Sequence, residues 1–267
     1  MSKSQRVGRE GVFALRHRLS ERDMQVLQYV AQLRLLAALQ IQALLFPDER
    51  HATPQTAARC CRRGLERLTA EGLLARLERR IGGSRAGSAS YVYALTSLGQ
   101  RVLDLAEPRR RLSEPSAFFV DHTLAVADLL VRLVLASWEG KIELREWQAE
   151  PACWRRVSTL GGGMVLRPDL YAMLEVDDYE IRWFVEVDRG TAHLPTLLRK
   201  CRLYNTYYKN GVEQREHDVF PRVLWVVTDA GRGDRLRQAI EADRRLSADL
   251  FRITTESEAM TAFGDRA

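Results

Sequence analysis

The sequence predicts an α/β protein, α+β over the whole chain, with a basic helical part followed by a mixed-sheet α/β part. Three observations predict it: charge is divided unevenly along the chain, three helical patterns precede two strand-like runs, and strands alternate with helices in the second half. The 267 residues exceed a typical single domain, and a hydrophobic content of 46% is enough for two cores. We therefore expect domains at 1–106 and 117–267, joined by a charged, proline-bounded linker at 107–116.

Charge separates the two parts. Residues 1–112 carry 20 lysines and arginines against 10 acidic residues, a net charge of +10. Residues 113–267 carry 21 against 25, a net charge of −4. A basic part joined to a mildly acidic one suggests that the first part meets a polyanion. Because only four of the 41 basic residues are lysines, the number of arginines by itself is given little weight.

The composition excludes several classes of protein. The sequence contains no run of about 18 apolar residues, so we expect no membrane-spanning helix. The basic, polar N-terminus lacks the apolar segment of a secretory signal. The four cysteines show no metal-ligand spacing, which indicates reduced thiols. We therefore expect a cytoplasmic protein without a membrane partner.

Helical signals occur at three places in the first part. Ser20 precedes an apolar stripe and has Asp23 three residues later, as in a capping box. A short second helix covers about 37–46, and Thr53 followed by Pro54 starts a third. On this third helix an apolar stripe opposes a polar face rich in arginine.

Two strand-like runs follow at 73–80 and 91–95, joined by a glycine-rich basic loop. Three helices followed by a hairpin resemble a winged helix-turn-helix, whose third helix enters the major groove of double-stranded DNA, often as one half of a homodimer. This resemblance makes four residues candidates for base edges: Gln55, Thr56, Arg59 and Arg63. Four others are candidates for phosphates: Arg62, Arg79, Arg80 and Arg85. The alternatives are a solvated polar face and a protein-binding surface.

The second part reads as strands at 141–147, 164–175 and 180–188, then helix, strand, helix and a final short strand. In the third strand, alternation places Glu186 and Asp188 on one face. Carboxylates on a buried strand need a compensating positive charge, and Mg²⁺ is the usual one. The alternative is a solvated edge strand, against which its apolar neighbours argue.

Two runs in this part carry a resemblance to known families: Arg167-Pro168-Asp169 and, 17 positions on, Glu186-x-Asp188. This spacing resembles the PD-(D/E)XK restriction-endonuclease-like fold. Together with the winged helix-turn-helix, this spacing makes the chain resemble the replication-relaxation family of plasmids and other mobile elements. The resemblance extends from about residue 20 to 255. The features that carry this resemblance are Leu95-Thr96-x-Leu98-Gly99, Arg167-Pro168-Asp169, Phe184 to Thr191, and Lys200 with Tyr204.

The resemblance implies Asp169 and Glu186 as ligands of Mg²⁺ or Mn²⁺ and as catalytic residues. Asp188 stands where the fold's catalytic lysine is expected, so it adds a carboxylate in place of an ammonium. Lys200, on the next helix, is the candidate to replace that lysine, the alternative being a surface lysine.

The implied protein is bacterial, associated with the nucleoid or a plasmid, and has double-stranded DNA and a relaxase or replication protein as partners. Three functions stay open at this point. The first is a sequence-targeted DNA-binding protein of replication, relaxation or conjugative transfer, with a degenerate nuclease-like domain. The second is an active metal-dependent nickase or endonuclease. The third is a transcriptional regulator built on a silent nuclease-fold scaffold.

Overall fold

A computed structural model of the chain describes residues 7–47, 53–81, 90–103, 116–159, 162–177 and 179–264. Side chains at 78–81 and 158–159 lie outside this description. The structure confirms a mixed α/β protein with a mixed sheet. The chain divides into two compact units, residues 1–131 and 132–267. The division falls within a helix, whereas the sequence placed a linker at 107–116, most of which lies outside the described residues.

The first unit contains the described elements α1 (Arg9–Arg18), α2 (Glu21–Leu33), β1 (Leu35–Ala37), α3 (Ala38–Leu45), α4 (Pro54–Ala70), β2 (Leu74–Ile81), β3 (Ser90–Leu95), α5 (Ser97–Val102) and most of α6 (Ala117–Trp138). β1, β3 and β2 pair in that order as an antiparallel sheet. The three predicted helices and both predicted strands of this unit are confirmed. The sequence did not predict α1 or β1, and β1 is too short for an alternating pattern to be read.

Capping residues fix the starts of the helices as predicted. The Asp23 N–H donates to the Ser20 hydroxyl at 3.2 Å, and the Ser20 N–H donates to the Asp23 carboxylate at 2.9 Å, which completes the capping box. Thr53 caps α4, with Pro54 at its first position. Asp23 also pairs with Arg67 at 2.6 Å, which ties α2 to α4.

Gly99 in α5 leaves no room for a side chain. A Cβ at this position would overlap the backbone carbonyl oxygen of Leu73 and approach Leu95 Cδ1 to 2.6 Å. We expect Gly99→Ala to lower the free energy of unfolding by about 1–3 kcal/mol, since the backbone must move to relieve the overlap. Urea unfolding of the full chain measures the change.

Gly64 in α4 provides the matched control. The nearest atom to a Cβ there is in Phe46 at 3.7 Å, an ordinary contact. Gly64→Ala should raise the free energy of unfolding by roughly 0.5–1 kcal/mol, because alanine loses less backbone entropy in a helix. Equal effects of the two substitutions would contradict the packing described for α5.

The second unit contains β4 (Glu143–Ala149), β5 (Arg155–Thr159), β6 (Gly162–Leu166), β7 (Leu170–Val176), β8 (Tyr179–Asp188), α7 (Leu194–Asn210), α8 (Val212–His217), β9 (Arg222–Val227), α9 (Ala230–Ala242), β10 (Phe251–Thr255) and α10 (Ala259–Gly264). The described strands of the main sheet have the order β10-β9-β8-β7-β4. β8, β9 and β10 are parallel, and β7 and β4 are antiparallel to their neighbours. β5 and β6 form a separate hairpin.

The prediction of one continuous strand at 164–175 is wrong. It is two strands, β6 and β7, with Arg167-Pro168-Asp169 between them. β6 pairs back onto β5, while β7 joins the main sheet. Pro168 has no N–H to donate to a ladder, which suits the break between the strands.

The acid-bearing strand β8 lies at the centre of the main sheet, so the edge-strand alternative is wrong. Its residues from Trp183 to Asp188 are buried. On one face of the sheet, Phe184 packs against Tyr204 and Tyr207 of α7, in a core that also contains Leu236 and Ile240 of α9. Glu186 and Asp188 share this face by alternation, so both carboxylates lie under the helical layer.

Candidate functional site

Backbone hydrogen bonds hold Asp169 against the end of β8. Its N–H donates to the Val185 carbonyl at 3.0 Å, and its Oδ2 accepts the Val187 N–H at 2.7 Å. Asp169 is 7% exposed. The irregular turn after β6 thus places a buried carboxylate beside Glu186 of β8.

Glu186 is the centre of a cluster. It is 1% exposed, its Oε1 accepts the Tyr204 hydroxyl at 2.6 Å, and its Oε2 pairs with the Lys200 ammonium. Lys200 Nζ also lies 3.9 Å from Asp169 Oδ1. Lys200 and Tyr204 are one turn apart on α7 and so reach the same point. We call Asp169, Glu186, Lys200 and Tyr204 the acid–lysine cluster.

Asp188 belongs to a different ion pair from the one that Glu186 makes with Lys200. Arg232 Nε donates to Asp188 Oδ2 at 2.7 Å, and the Gly190 N–H donates to Oδ1 at 3.1 Å. Arg232 also donates to the Ala192 carbonyl. The reason is spacing: Asp188 lies two residues beyond Glu186, where α9 rather than α7 supplies the positive charge.

Burial sets the protonation of the cluster. Removal from water raises the pKa of Glu186 to about 8, and the Asp169 carboxylate adds to this while Lys200 opposes it. Burial alone would lower the pKa of Lys200, but the carboxylates of Glu186 and Asp169 raise it above its usual value. Burial and the neighbouring Glu186 raise the pKa of Tyr204 as well. The lysine therefore stays charged, whereas the pKa of Glu186 lies at about 8.

The raised pKa of Glu186 predicts a pH-dependent stability. The folded chain keeps this proton up to about pH 8, whereas the unfolded chain releases it near 4.5, so stability from this group falls between these values. In the variant Glu186→Gln this side chain cannot ionise, so its stability does not fall with rising pH for this reason. Relative to the wild type, its free energy of unfolding should rise between pH 5 and 8.5, by about 1.4 kcal/mol per unit of pKa difference.

Urea unfolding over this pH range measures the effect. Glu241→Gln is the control, because Glu241 is exposed and its substitution should give a curve parallel to that of the wild type. Parallel curves for Glu186→Gln and the wild type would contradict the raised pKa.

The second feature of interest is the outer face of α4. The helix buries Ala57, Cys61, Leu65 and Leu68. Of the predicted DNA contacts on this helix, Thr56 is half-buried and four are exposed: Gln55, Arg59, Arg62 and Arg63. Arg79 and Arg80 lie in β2 outside the described side chains, and Arg85 lies outside the described residues. The polar face is thus brought together on one side of one helix.

Comparison with known protein families gives one match, to the replication-relaxation family over residues 27–223. This range covers well over half of the chain. The chain belongs to the replication-relaxation family. No curated protein and no solved structure matches it significantly.

Membership in the replication-relaxation family indicates a part in the replication or relaxation of plasmid or mobile-element DNA. The matched range contains α4 and the whole acid–lysine cluster but ends before Arg232. Among the described residues of this replication-relaxation protein, no helix is long and apolar enough to cross a membrane. None of the four cysteines forms a disulfide in the structure.

The described residues of this replication-relaxation protein contain no group of three or more His, Cys, Asp and Glu side chains arranged to hold a metal ion. Both oxygens of Glu186 are engaged, Asp169 Oδ2 accepts a backbone N–H, and the positive charge between the two acids is the Lys200 ammonium. Mg²⁺ binding therefore stays a prediction from the resemblance.

Two residues of the replication-relaxation chain have roles that the sequence did not reveal. The sequence indicated no polar role for Tyr204, yet its hydroxyl donates to Glu186. Arg232 was not singled out, although it compensates the charge of Asp188. The helical spacing of Tyr204 from Lys200 could have indicated the first role, whereas no local signal joins Arg232 to a strand 44 residues earlier.

Proposed function

We propose that this replication-relaxation protein binds double-stranded DNA through the outer face of α4, in the replication or relaxation of a plasmid or other mobile element. The observation that carries the proposal is the division of α4 into a buried apolar face and an exposed face with Arg59, Arg62 and Arg63. Arginine pairs with phosphates and with the guanine edge in the major groove.

The order of elements supports reading the first unit as a winged helix-turn-helix. α2, α3 and α4 precede the antiparallel pair β2 and β3, and α4 would be the recognition helix. Gln55 and Arg59 near its N-terminal end would face base edges, with Arg62 on the backbone. Such units often bind paired half-sites as homodimers, and we propose a homodimer here.

The second unit is proposed to be a nuclease-like domain that has lost cleavage. The central position of β8 and the meeting of Asp169, Glu186 and Lys200 support a nuclease-like origin. Engagement of both Glu186 oxygens and the pairing of Asp188 with Arg232 support a silent domain. A relaxase or replication protein is the partner that such a domain would serve.

Footprinting on DNA of a mobile element tests the proposal. The full chain should protect a discrete site near a replication or transfer origin, and Arg59→Ala with Arg63→Ala should remove the protection. Protection of a promoter alone would favour the transcriptional regulator. No protected site anywhere on the element would overturn DNA targeting.

A second candidate is metal-dependent nicking, favoured by the approach of Lys200 Nζ to both buried acids. Supercoiled plasmid incubated with the full chain and Mg²⁺ or Mn²⁺ separates the two candidates. Nicking that Asp169→Asn abolishes would establish the enzyme. Intact plasmid together with normal DNA binding would establish the silent domain.

A further inference from the structure

The hairpin of β5 and β6 is a basic segment within the part of the chain that has a net negative charge. Between Glu150 and Asp169 the sequence carries three arginines and no acidic residue, although residues 113–267 as a whole have a net charge of −4. The three are Arg155, Arg156 and Arg167. Arg155 pairs with Glu213, which leaves Arg156 and Arg167 as the candidates for contact with an anion.

One face of this hairpin is fixed in the core of the second unit. Val157 and Leu166 are 1% and 0% exposed and pack in the cluster beneath α7. Arg155 points the same way as Val157 and pairs with Glu213 at 2.9 Å. Around Arg155, Val157 and Leu166 this face is therefore occupied.

The opposite face carries Arg156 and an exposed apolar residue, and Arg167 follows directly after the end of β6. Arg156 and Val165 are register partners, so their side chains are neighbours on this face, and Arg167 lies two residues beyond Val165. Arg156 and Arg167 are exposed, and Val165 is 43% exposed. Arg167 lies over the Trp154 ring at 4.7 Å, which orients its guanidinium.

Chemistry and shape together favour one partner. A two-stranded β-ribbon fits the major groove of B-DNA, where arginine reaches phosphates and guanine and an apolar side chain meets a thymine methyl. A protein partner would match the valine but would also need acidic groups for both arginines. We propose that the outer face of the β5–β6 hairpin is a second contact with double-stranded DNA, made in the major groove by Arg156, Val165 and Arg167.

This inference rests on the proposed function, and photocrosslinking tests it separately. Val165 is replaced by p-benzoyl-phenylalanine in the full chain, and Val219, which is 47% exposed, is replaced in the same way as the matched control. Both proteins are irradiated with the element's origin-region DNA, cut into labelled duplex fragments. We expect a DNA adduct from position 165 and little from position 219.

The outcomes are distinguishable. DNA binding without an adduct at 165, or with equal adducts at both positions, overturns the hairpin contact alone. If position 165 forms an adduct with a protein and none with DNA, the hairpin contact with DNA is overturned. The outer face would then be a protein interface. Absence of DNA binding by the unsubstituted chain overturns the proposed function together with the hairpin contact.

The salt dependence of binding gives an independent test. Arg156→Ala with Arg167→Ala should reduce the log–log salt slope by up to about two, because each arginine removed from a phosphate lowers the slope by about one. Arg235→Ala with Arg237→Ala, on exposed positions of α9, removes the same charge and should leave the slope unchanged. An equal change in both pairs would contradict a contact specific to the hairpin.

Discussion

Lys200→Met is expected to lower the free energy of unfolding by about 3 kcal/mol or more at pH 8.5. The substitution leaves two buried carboxylates without their shared ammonium, and breaking a buried pair by removing one partner costs about 3–5 kcal/mol. At pH 5.5 the loss should be smaller, because Glu186, with a pKa of about 8, is then protonated. Urea unfolding at both pH values measures the two losses.

Lys209→Met is the matched control, since Lys209 is an exposed lysine on the same helix. Its substitution should change the free energy of unfolding by no more than about 0.5 kcal/mol at either pH. A loss for Lys200→Met that is equally small, or that does not grow with pH, would contradict the role of its ammonium in the cluster.

Removal of the α4 arginines is expected to weaken DNA binding at least hundredfold. Arg59→Ala, Arg62→Ala and Arg63→Ala each delete an exposed side chain, and each contact with a base or phosphate contributes roughly 1 kcal/mol or more. The fold should persist because alanine is the best helix former and none of the three side chains is buried. Fluorescence anisotropy with a labelled duplex at fixed salt measures the change.

The control for this triple variant removes the same charge from another helix. Arg235→Ala, Arg237→Ala and Arg244→Ala alter exposed positions in or next to α9. A general attraction between a basic protein and DNA would respond equally to both triple variants. The α4 proposal requires that only the first variant loses affinity.

Local chemistry made much of the fold predictable. The Ser20–Asp23 capping box and the start of α4 at Thr53-Pro54 could be predicted from the sequence, because each involves residues within one helical turn. The buried position of β8 could be predicted from its run of apolar residues. The division of 164–175 into two strands was missed, because both halves are apolar and only pairing with different partners separates them.

The candidate site was predictable to the extent that it depends on alternation and helical spacing. Glu186 could be placed on the inner face of β8, and Lys200 beside Tyr204, from the sequence alone. Which cation compensates which acid depends on how α7 and α9 lie across the sheet. The pairing of Asp188 with Arg232 is a tertiary contact of this kind, and for that reason the sequence could not indicate it.

The measurement that tests DNA binding by this chain most directly is the affinity of the purified full chain for duplex DNA across a range of salt concentrations. With Arg62 of α4 at a phosphate, and with any other arginine that contacts a phosphate, the dissociation constant should rise with salt, with a log–log slope of about one for each such contact. The α4 triple variant should show a clearly smaller slope. Binding that is absent at low salt, or that salt does not affect, would contradict DNA recognition by α4.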